Sequence, residues 1–262
     1  FRANQDGVGA ADCYLWKNGA LTLGSAIRVS MTMAELSQQG KVTVGTLRSG
    51  EPALFVTGVA DGARAITDVL LLRGGELSNI VLSSTTGVSG ESSRFRSLYP
   101  MDINSDGVTE VPRTVSLYGE ELETDVSQRV DWISFDAAGA ASRELSTYHA
   151  MEDGWYLQLP EGWPESVWVT RSASADETGI TFYRDGGSEQ PYTPVLRITA
   201  LSGSSRERLA VRTGRFVLGR NDGVIYVGEL LKGNEDWSGS MTEDEVRNAF
   251  SLIAKEWSAG DN

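Results

Sequence analysis

Oxygen-bearing residues recur at alternate positions between residues 102 and 110, in the pattern of a short calcium-binding loop. Asp102, Asn104 and Asp106 occupy positions one, three and five, Val108 offers a backbone carbonyl at position seven, and Glu110 supplies a closing carboxylate. Calcium takes six or more oxygen ligands at about 2.3–2.6 Å, and short loops provide them by alternating carboxylates with a carbonyl. The sequence therefore predicts a structural Ca²⁺ site formed by Asp102, Asn104, Asp106, Val108 and Glu110.

Two other structures are compatible with parts of this pattern. An EF-hand needs a glutamate at position twelve and a helix after it, but position twelve is Arg113 and Pro112 precedes it, which argues against an EF-hand. A turn rich in Asp and Asn could also join two strands without metal. Three oxygen-bearing side chains at positions one, three and five favour the calcium loop over that turn.

Residues suited to catalysis are few. His149 is the only histidine, which excludes a zinc site built from several imidazoles. A Ser-His-Asp triad could use His149, but no Gly-x-Ser-x-Gly elbow precedes a predicted helix. The sequence therefore predicts a protein that is not an enzyme, with His149 as a structural residue at a strand end.

Carboxylates and tryptophans leave one enzymatic alternative open. Adjacent acidic residues at 120–121 and 243–245 are explained by solvent exposure and by the first turn of a helix. Trp155, Trp163 and Trp168 could stack on sugar rings if exposed, but apolar residues at every second position from Trp155 favour burial. The alternative function is a carbohydrate-active or other hydrolytic surface enzyme that uses a carboxylate pair.

Charge limits the classes of partner. The 262 residues carry 23 Lys and Arg against 36 Asp and Glu, a formal net charge of -13. This charge repels phosphate backbones, so nucleic acid is not expected as a partner. No apolar run is long enough to cross a membrane, so no membrane span is expected in this chain. An unknown protein or glycan partner is expected instead.

The N-terminal residues bear on location. Cys13 is the only cysteine, which excludes an intramolecular disulfide, and Asp12 before it does not fit a lipid-attachment motif. The chain starts at Phe1 and not at Met, which predicts a removed leader or a longer protein. Any lipid anchor would then lie upstream of Phe1, and the expected location is extracytoplasmic, at the cell surface or secreted.

Residues 1–150 are predicted to form a β-repeat domain. A unit of strand, Asp-Gly loop, strand, glycine turn and strand recurs, most clearly from Ala53 to Leu82. A first copy runs from Asn4 to Leu23, and a third starts at Phe95 with an insertion at residues 119–128. The sequence thus predicts three related β units in this part of the chain.

Residues 151–262 are predicted to form an α+β domain. Strands are expected around residues 155–160, 167–170, 179–183, 195–200, 207–212 and 223–227. A closing helix begins at Thr242, with Glu245 three positions on, and its apolar stripe extends to Trp257. A sheet covered on one face by this helix would be an α+β sandwich.

Both halves resemble known families. The segment from Asp102 to Glu110 resembles the loop of FG-GAP or VCBS repeats, which implies a partial or degenerate β-propeller in residues 1–150. The segment Gly154 to Trp163 is similar to C-terminal domains of putative bacterial lipoproteins with a PsbP-like fold. Together these resemblances imply a mostly β protein of the bacterial cell envelope, or a secreted one, that acts in binding or as a scaffold.

Overall fold

The computed structural model describes residues 1–4, 7–60, 64–95, 98–115, 128–185, 192–235 and 237–253. The described chain is mostly β, as predicted. Its strands are β1 Arg2–Ala3, β2 Val8–Lys17, β3 Ala20–Thr32, β4 Lys41–Thr46, β5 Pro52–Ala60, β6 Arg64–Arg73, β7 Glu76–Asn79, β8 Arg94–Phe95, β9 Val111–Val115, β10 Gln128–Phe135, β11 Ala141–Ala150, β12 Trp155–Gln158, β13 Val167–Ala173, β14 Glu177–Asp185, β15 Tyr192–Leu201, β16 Arg215–Asn221, β17 Val224–Leu230 and β18 Phe250–Leu252.

Short helices interrupt these strands. They are α1 Met33–Gln39, α2 Trp163–Ser166, α3 Arg206–Ala210 and α4 Glu243–Ala249, with 3-10 turns at Gly90–Ser92, Met151–Asp153 and Lys232–Asn234. The strand orders are β1-β2-β3, β4-β5-β6-β7, β18-β12-β11-β10-β9 and β13-β14-β15-β17-β16, and β8 pairs with β6. Within the described residues, none of these sheets closes into a propeller.

The chain divides into two compact units that interleave along the sequence. The first unit contains the described residues of Phe1–Thr114 and Asp131–Glu144. The second contains those of Val115–Val130 and Leu145–Ala254. The sequence pattern instead predicts a single boundary at residue 150.

The first unit is built on the meander of β4 to β7, whose two faces are both apolar. One face contributes Phe55 and Val69 to a core that also contains Val111 of β9 and Ile133 of β10. The opposite face contributes residues such as Leu70 to a second core with the β2–β3 hairpin. Strands buried on both faces read as continuous apolar runs, which is why residues 65–72 do not alternate with polar residues.

The second unit packs β12 and β18 with the sheet of β13 to β17. Trp155 and Leu157 alternate with exposed or half-buried residues along β12 and enter a core that includes Ile180 and Phe182 of β14. Thr242 caps α4 and forms a capping box with Glu245, as predicted.

Two predicted elements are wrong. Residues 206–210 form helix α3 instead of a strand, because Leu209 and Ala210 bury one side of a helical turn against Leu201 of β15 and Ile225 of β17. Helix α4 ends at Ala249, and Phe250 begins strand β18, which pairs with Leu157 of β12. The apolar stripe predicted for the closing helix therefore continues in strand β18. Trp257, at the predicted end of this stripe, lies outside the described residues. Residues 119–127 of the predicted insertion also lie outside the described residues.

Candidate metal centre

The predicted loop is closed at its ends by a strand-like bridge. Met101 and Glu110 exchange backbone hydrogen bonds of 3.0 and 2.9 Å. Ser105 and Gly107 both adopt positive φ, 61° and 87°, which lets the chain reverse within a few residues. All five predicted ligand residues therefore belong to one tight loop of the first unit.

Side-chain oxygens line this loop by accepting backbone N–H groups. Asp102 accepts from the N–H groups of Asp106, at 3.0 Å, and of Gly107, at 2.8 Å. Asn104 Oδ1 accepts from the Asp106 N–H at 3.2 Å. Asp106 Oδ1 accepts from the Val108 N–H at 2.8 Å, and Asp106 Oδ2 accepts from the Asn104 amide at 2.9 Å. These bonds hold three oxygen-bearing side chains on the inside of the turn.

Glu110 differs from the other loop residues because it is fully buried, with an exposed fraction of 0%. Its Oε2 accepts the Ile103 N–H at 3.1 Å, whereas its Oε1 has no hydrogen-bond partner among the described residues. Burial raises the pKa of Glu110 to about 7, and the negative charges of Asp106 and Asp102 contribute in the same direction. Within the described part of the chain, one oxygen of this buried carboxylate therefore has no cationic or hydrogen-bonding partner.

This donor set suits calcium in its chemistry. Each of the four side chains offers at least one oxygen ligand, and a carboxylate oxygen that accepts one N–H keeps a second lone pair. Yet no three His, Cys, Asp or Glu side chains already converge at metal-binding distance in the described part of the chain. Coordination would therefore require the side chains of the loop to rearrange.

The residues on either side of Glu110 connect the loop to the sheet. The N–H of Thr109 donates to the carbonyl of Thr46 in β4 at 2.9 Å, and Thr109 Oγ1 accepts the Thr46 N–H at 3.3 Å. Val111 lies in the core with Phe55. Since Glu110 is placed between a strand contact and a core residue, its backbone position is fixed before any cation binds.

Gly45 of β4 permits this close approach of Thr109, and we expect Gly45→Ala to destabilise the protein by about 1–3 kcal/mol. A Cβ atom at Gly45 would lie 2.7 Å from Thr109 Cβ and 2.8 Å from the Phe55 ring, so the loop anchor would have to move. Chemical denaturation measures the change. Gly90→Ala is the matched control, since a Cβ there meets no atom within 4 Å; equal effects of both variants would contradict the role given to Gly45.

The remaining chemical candidates of the sequence lie in structural settings. Trp155 and Trp163 are core residues of the second unit. Trp168 stacks on Tyr183 at 4.7 Å between ring centroids and meets Tyr192 edge-on at 4.6 Å. Residues 243–245 form the first turn of α4, and residues 120–121 lie outside the described part of the chain. The tryptophans of β12 and α2 are therefore unavailable as a sugar platform.

His149 is buried within β11, with Nε2 2.8 Å from Thr147 Oγ1 and its ring stacked on Tyr156. Burial lowers the pKa of His149 to about 3. In the unfolded chain the His149 imidazole is protonated below about pH 6.5, whereas in the folded chain it stays neutral. Stability is therefore lost as the pH falls below about 6.5. We expect a loss of about 2 kcal/mol at pH 5, measured by urea denaturation.

His149→Gln is the control for this pH dependence. Other groups titrate over the same range. Because burial raises the pKa of Glu110, protonation of this carboxyl has the opposite effect and stabilises the folded chain as the pH falls. Subtracting the pH profile of His149→Gln from that of the unmodified chain isolates the histidine. Parallel profiles for the two chains between pH 7.5 and pH 5 would contradict the buried neutral imidazole.

A polar cluster in the first unit is absent from the sequence-based prediction. Asp68, fully buried in β6, accepts hydrogen bonds from Ser30, Asn79 and Ser89. Next to Asp68 in sequence, Thr67 accepts from the buried guanidinium of Arg94 at 2.9 Å. The sequence feature that could have indicated this cluster is Asp68, the single acidic residue within the apolar run at residues 65–72.

Comparisons of the chain with family models, with curated proteins and with solved structures find no match. In the described residues, no helix is long and apolar enough to cross a membrane.

Proposed function

We propose that this protein is a binding or scaffold protein of the cell envelope or the secreted fraction, without catalytic activity, whose first unit is stabilised by one structural calcium ion. Asp102, Asn104, Asp106 and Glu110 would hold the ion with their side chains and Val108 with its carbonyl. The single observation that carries the proposal is the fully buried Glu110 carboxylate, whose Oε1 has no partner among the described residues.

A divalent cation would remove the main electrostatic cost of this loop. Three carboxylates within nine residues repel one another, and burial of Glu110 makes its charge costly unless a positive group neutralises it. Calcium sites of extracellular modules have dissociation constants of roughly 10⁻⁴–10⁻³ M, which suits a calcium-rich extracytoplasmic location. We also propose that residues 1–150 form a degenerate propeller-type repeat and that residues 151–262 form a PsbP-like domain. The four-stranded meander of β4 to β7 supports the propeller-type repeat.

Titration calorimetry with calcium tests the proposal. We expect one calcium ion per chain, a much weaker response to magnesium, and no binding to Glu110→Gln, which keeps the size of the side chain and removes its charge. Binding of calcium to Glu110→Gln with unchanged affinity would contradict the assignment of this carboxylate as a ligand.

A further inference from the structure

A cavity of about 310 Å³ lies within the second unit. Three segments line it: the end of β12 with the two residues after it, residues 240–241 before the cap of α4, and helix α4 itself. Pairing of Leu157 with Phe250 joins β12 to the strand that follows α4, so the sheet fixes two of these segments relative to each other. Small-molecule sites have volumes of about 300–1,000 Å³, so this cavity suits one small ligand.

The floor of the cavity is apolar and rigidly held. Leu159 and Met241 are buried, with exposed fractions of 6% and 7%, and Met241 belongs with Leu159 to the core of the second unit. The Met241 N–H donates to Asn234 Oδ1 at 2.8 Å, and its carbonyl accepts from Asn234 Nδ2 at 2.7 Å. Pro160 and the partly buried Ala249 complete the apolar lining. A ligand therefore meets a preformed surface of C–H groups here.

The rim of the cavity is polar. Gln158, Ser240, Glu245 and Asn248 are all exposed and line the same cavity. The two amides and the hydroxyl can both donate and accept hydrogen bonds, whereas the carboxylate only accepts. Among the described residues that line the cavity, none carries a positive charge. A ligand that satisfies this rim must therefore offer both donors and acceptors.

The capping box of α4 holds the Glu245 carboxylate in place. Its Oε2 accepts the Thr242 N–H at 2.7 Å and the Thr242 hydroxyl at 2.9 Å. Neither bond uses Oε1, which accepts no hydrogen bond from the described residues. Because one oxygen is fixed by the helix cap, the other is an acceptor whose position is set before a ligand arrives.

We propose that this cavity binds a neutral sugar, either free or as one residue of a glycan. Sugar hydroxyls donate and accept, as the rim requires, and the C–H face of a sugar ring matches the apolar floor. An acidic sugar would meet the Glu245 carboxylate without a cation to offset it. An ammonium group would leave the amide donors of Gln158 and Asn248 without an acceptor. The inference names the ligand class of the binding role proposed above and rests on that role.

Saturation-transfer difference NMR and titration calorimetry on the full chain test this inference. The probes are glucose, galactose, mannose and N-acetylglucosamine, with glucuronic acid and butylamine as the anionic and cationic comparisons. We expect saturable binding of at least one neutral sugar and none of the two charged probes. Glu245→Gln should weaken sugar binding about tenfold or more, because a hydrogen bond to a charged acceptor is stronger than one to an amide. Glutamine also forms the capping box, so this variant keeps the helix start.

Asp244→Asn is the matched control. It removes one negative charge from the same helical turn, but Asp244 has a side chain that is 92% exposed and does not line the cavity. Its affinity for the sugar should equal that of the unmodified chain. The inference is overturned if no neutral sugar binds saturably, if either charged probe binds more tightly than every neutral sugar, or if Glu245→Gln and Asp244→Asn bind the sugar alike.

Methyl glycosides of the sugar that binds distinguish the two sources. Binding of one methyl glycoside at the affinity of the free sugar assigns the site to a residue within a glycan, because that residue also carries a substituent on its anomeric oxygen. Loss of binding with both anomeric methyl glycosides assigns the site to a free sugar.

The calcium proposal fails separately from this inference. Glu245→Gln should bind calcium like the unmodified chain, and Glu110→Gln should bind the sugar at the same affinity once its fold is confirmed by circular dichroism. Sugar binding without calcium binding would leave the sugar site intact, and calcium binding without sugar binding would refute that site alone.

Discussion

Replacing Asp68 by Ala is expected to lower the free energy of unfolding by about 3–5 kcal/mol. The carboxylate is fully buried and accepts four hydrogen bonds of 2.6–2.8 Å, from the N–H and Oγ of Ser30, from Asn79 Nδ2 and from Ser89 Oγ. Those donors lie on β3, on β7 and in the loop before residue 90. Because alanine leaves them buried without an acceptor, the loss exceeds that of a single hydrogen bond.

Equilibrium denaturation in urea measures this effect, and two further variants define its origin. Asp68→Asn keeps the shape but places an amide N–H₂ among donors, so it should also be destabilised. Asp244→Ala changes an aspartate whose side chain is 92% exposed and should shift stability by less than about 0.5 kcal/mol. Equal stabilities of the Asp68→Ala and Asp244→Ala chains would refute the role of Asp68 as the centre of the polar cluster.

Asp106→Ala is expected to abolish the dependence of stability on calcium. A ligand present at about 100 times its dissociation constant stabilises the folded state by about 2.7 kcal/mol, and the variant should lose this entire increment. It should also lose about 1 kcal/mol without calcium, because Asp106 Oδ1 accepts the Val108 N–H. Urea denaturation with calcium and with chelator separates the two contributions.

Asp136→Ala is the matched control for this second prediction. Asp136 Oδ1 accepts two backbone N–H groups in a turn of the first unit, those of Ala138 and Ala140 at 2.9 Å, whereas Asp106 Oδ1 accepts one. Its replacement should lower stability at least as much without calcium and leave the calcium increment unchanged. A calcium increment that survives in Asp106→Ala, or disappears equally in Asp136→Ala, would contradict a site at residues 102–110.

Local patterns were sufficient to predict the loop and many strands. The spacing of Asp102, Asn104 and Asp106 predicted one tight turn with its oxygens inward, since this depends on residues within hydrogen-bonding reach along the chain. The strands between Ala53 and Leu82 are also predictable from local sequence, because glycine turns separate continuous apolar runs there. The burial of Trp155 followed from period-two alternation.

Long-range contacts decided the features that were mispredicted or missed. The stripe from Val246 to Phe250 fits a helix in isolation, but pairing of Phe250 with Leu157 ends the helix and begins β18. Residues 206–210 fit a strand equally well by composition. The burial of Glu110, on which the candidate site depends, arises because Thr109 pairs with Thr46, sixty-three residues earlier. No local pattern contains that information.

A thermal melt of the purified chain after chelation, titrated with calcium and with magnesium in parallel, tests the central claim most directly. A structural calcium site at residues 102–110 predicts a melting temperature that rises with calcium concentration and much less with magnesium. An unchanged melting temperature in both titrations would contradict the site, and would leave the loop as a metal-free turn held by its Asp and Asn side chains.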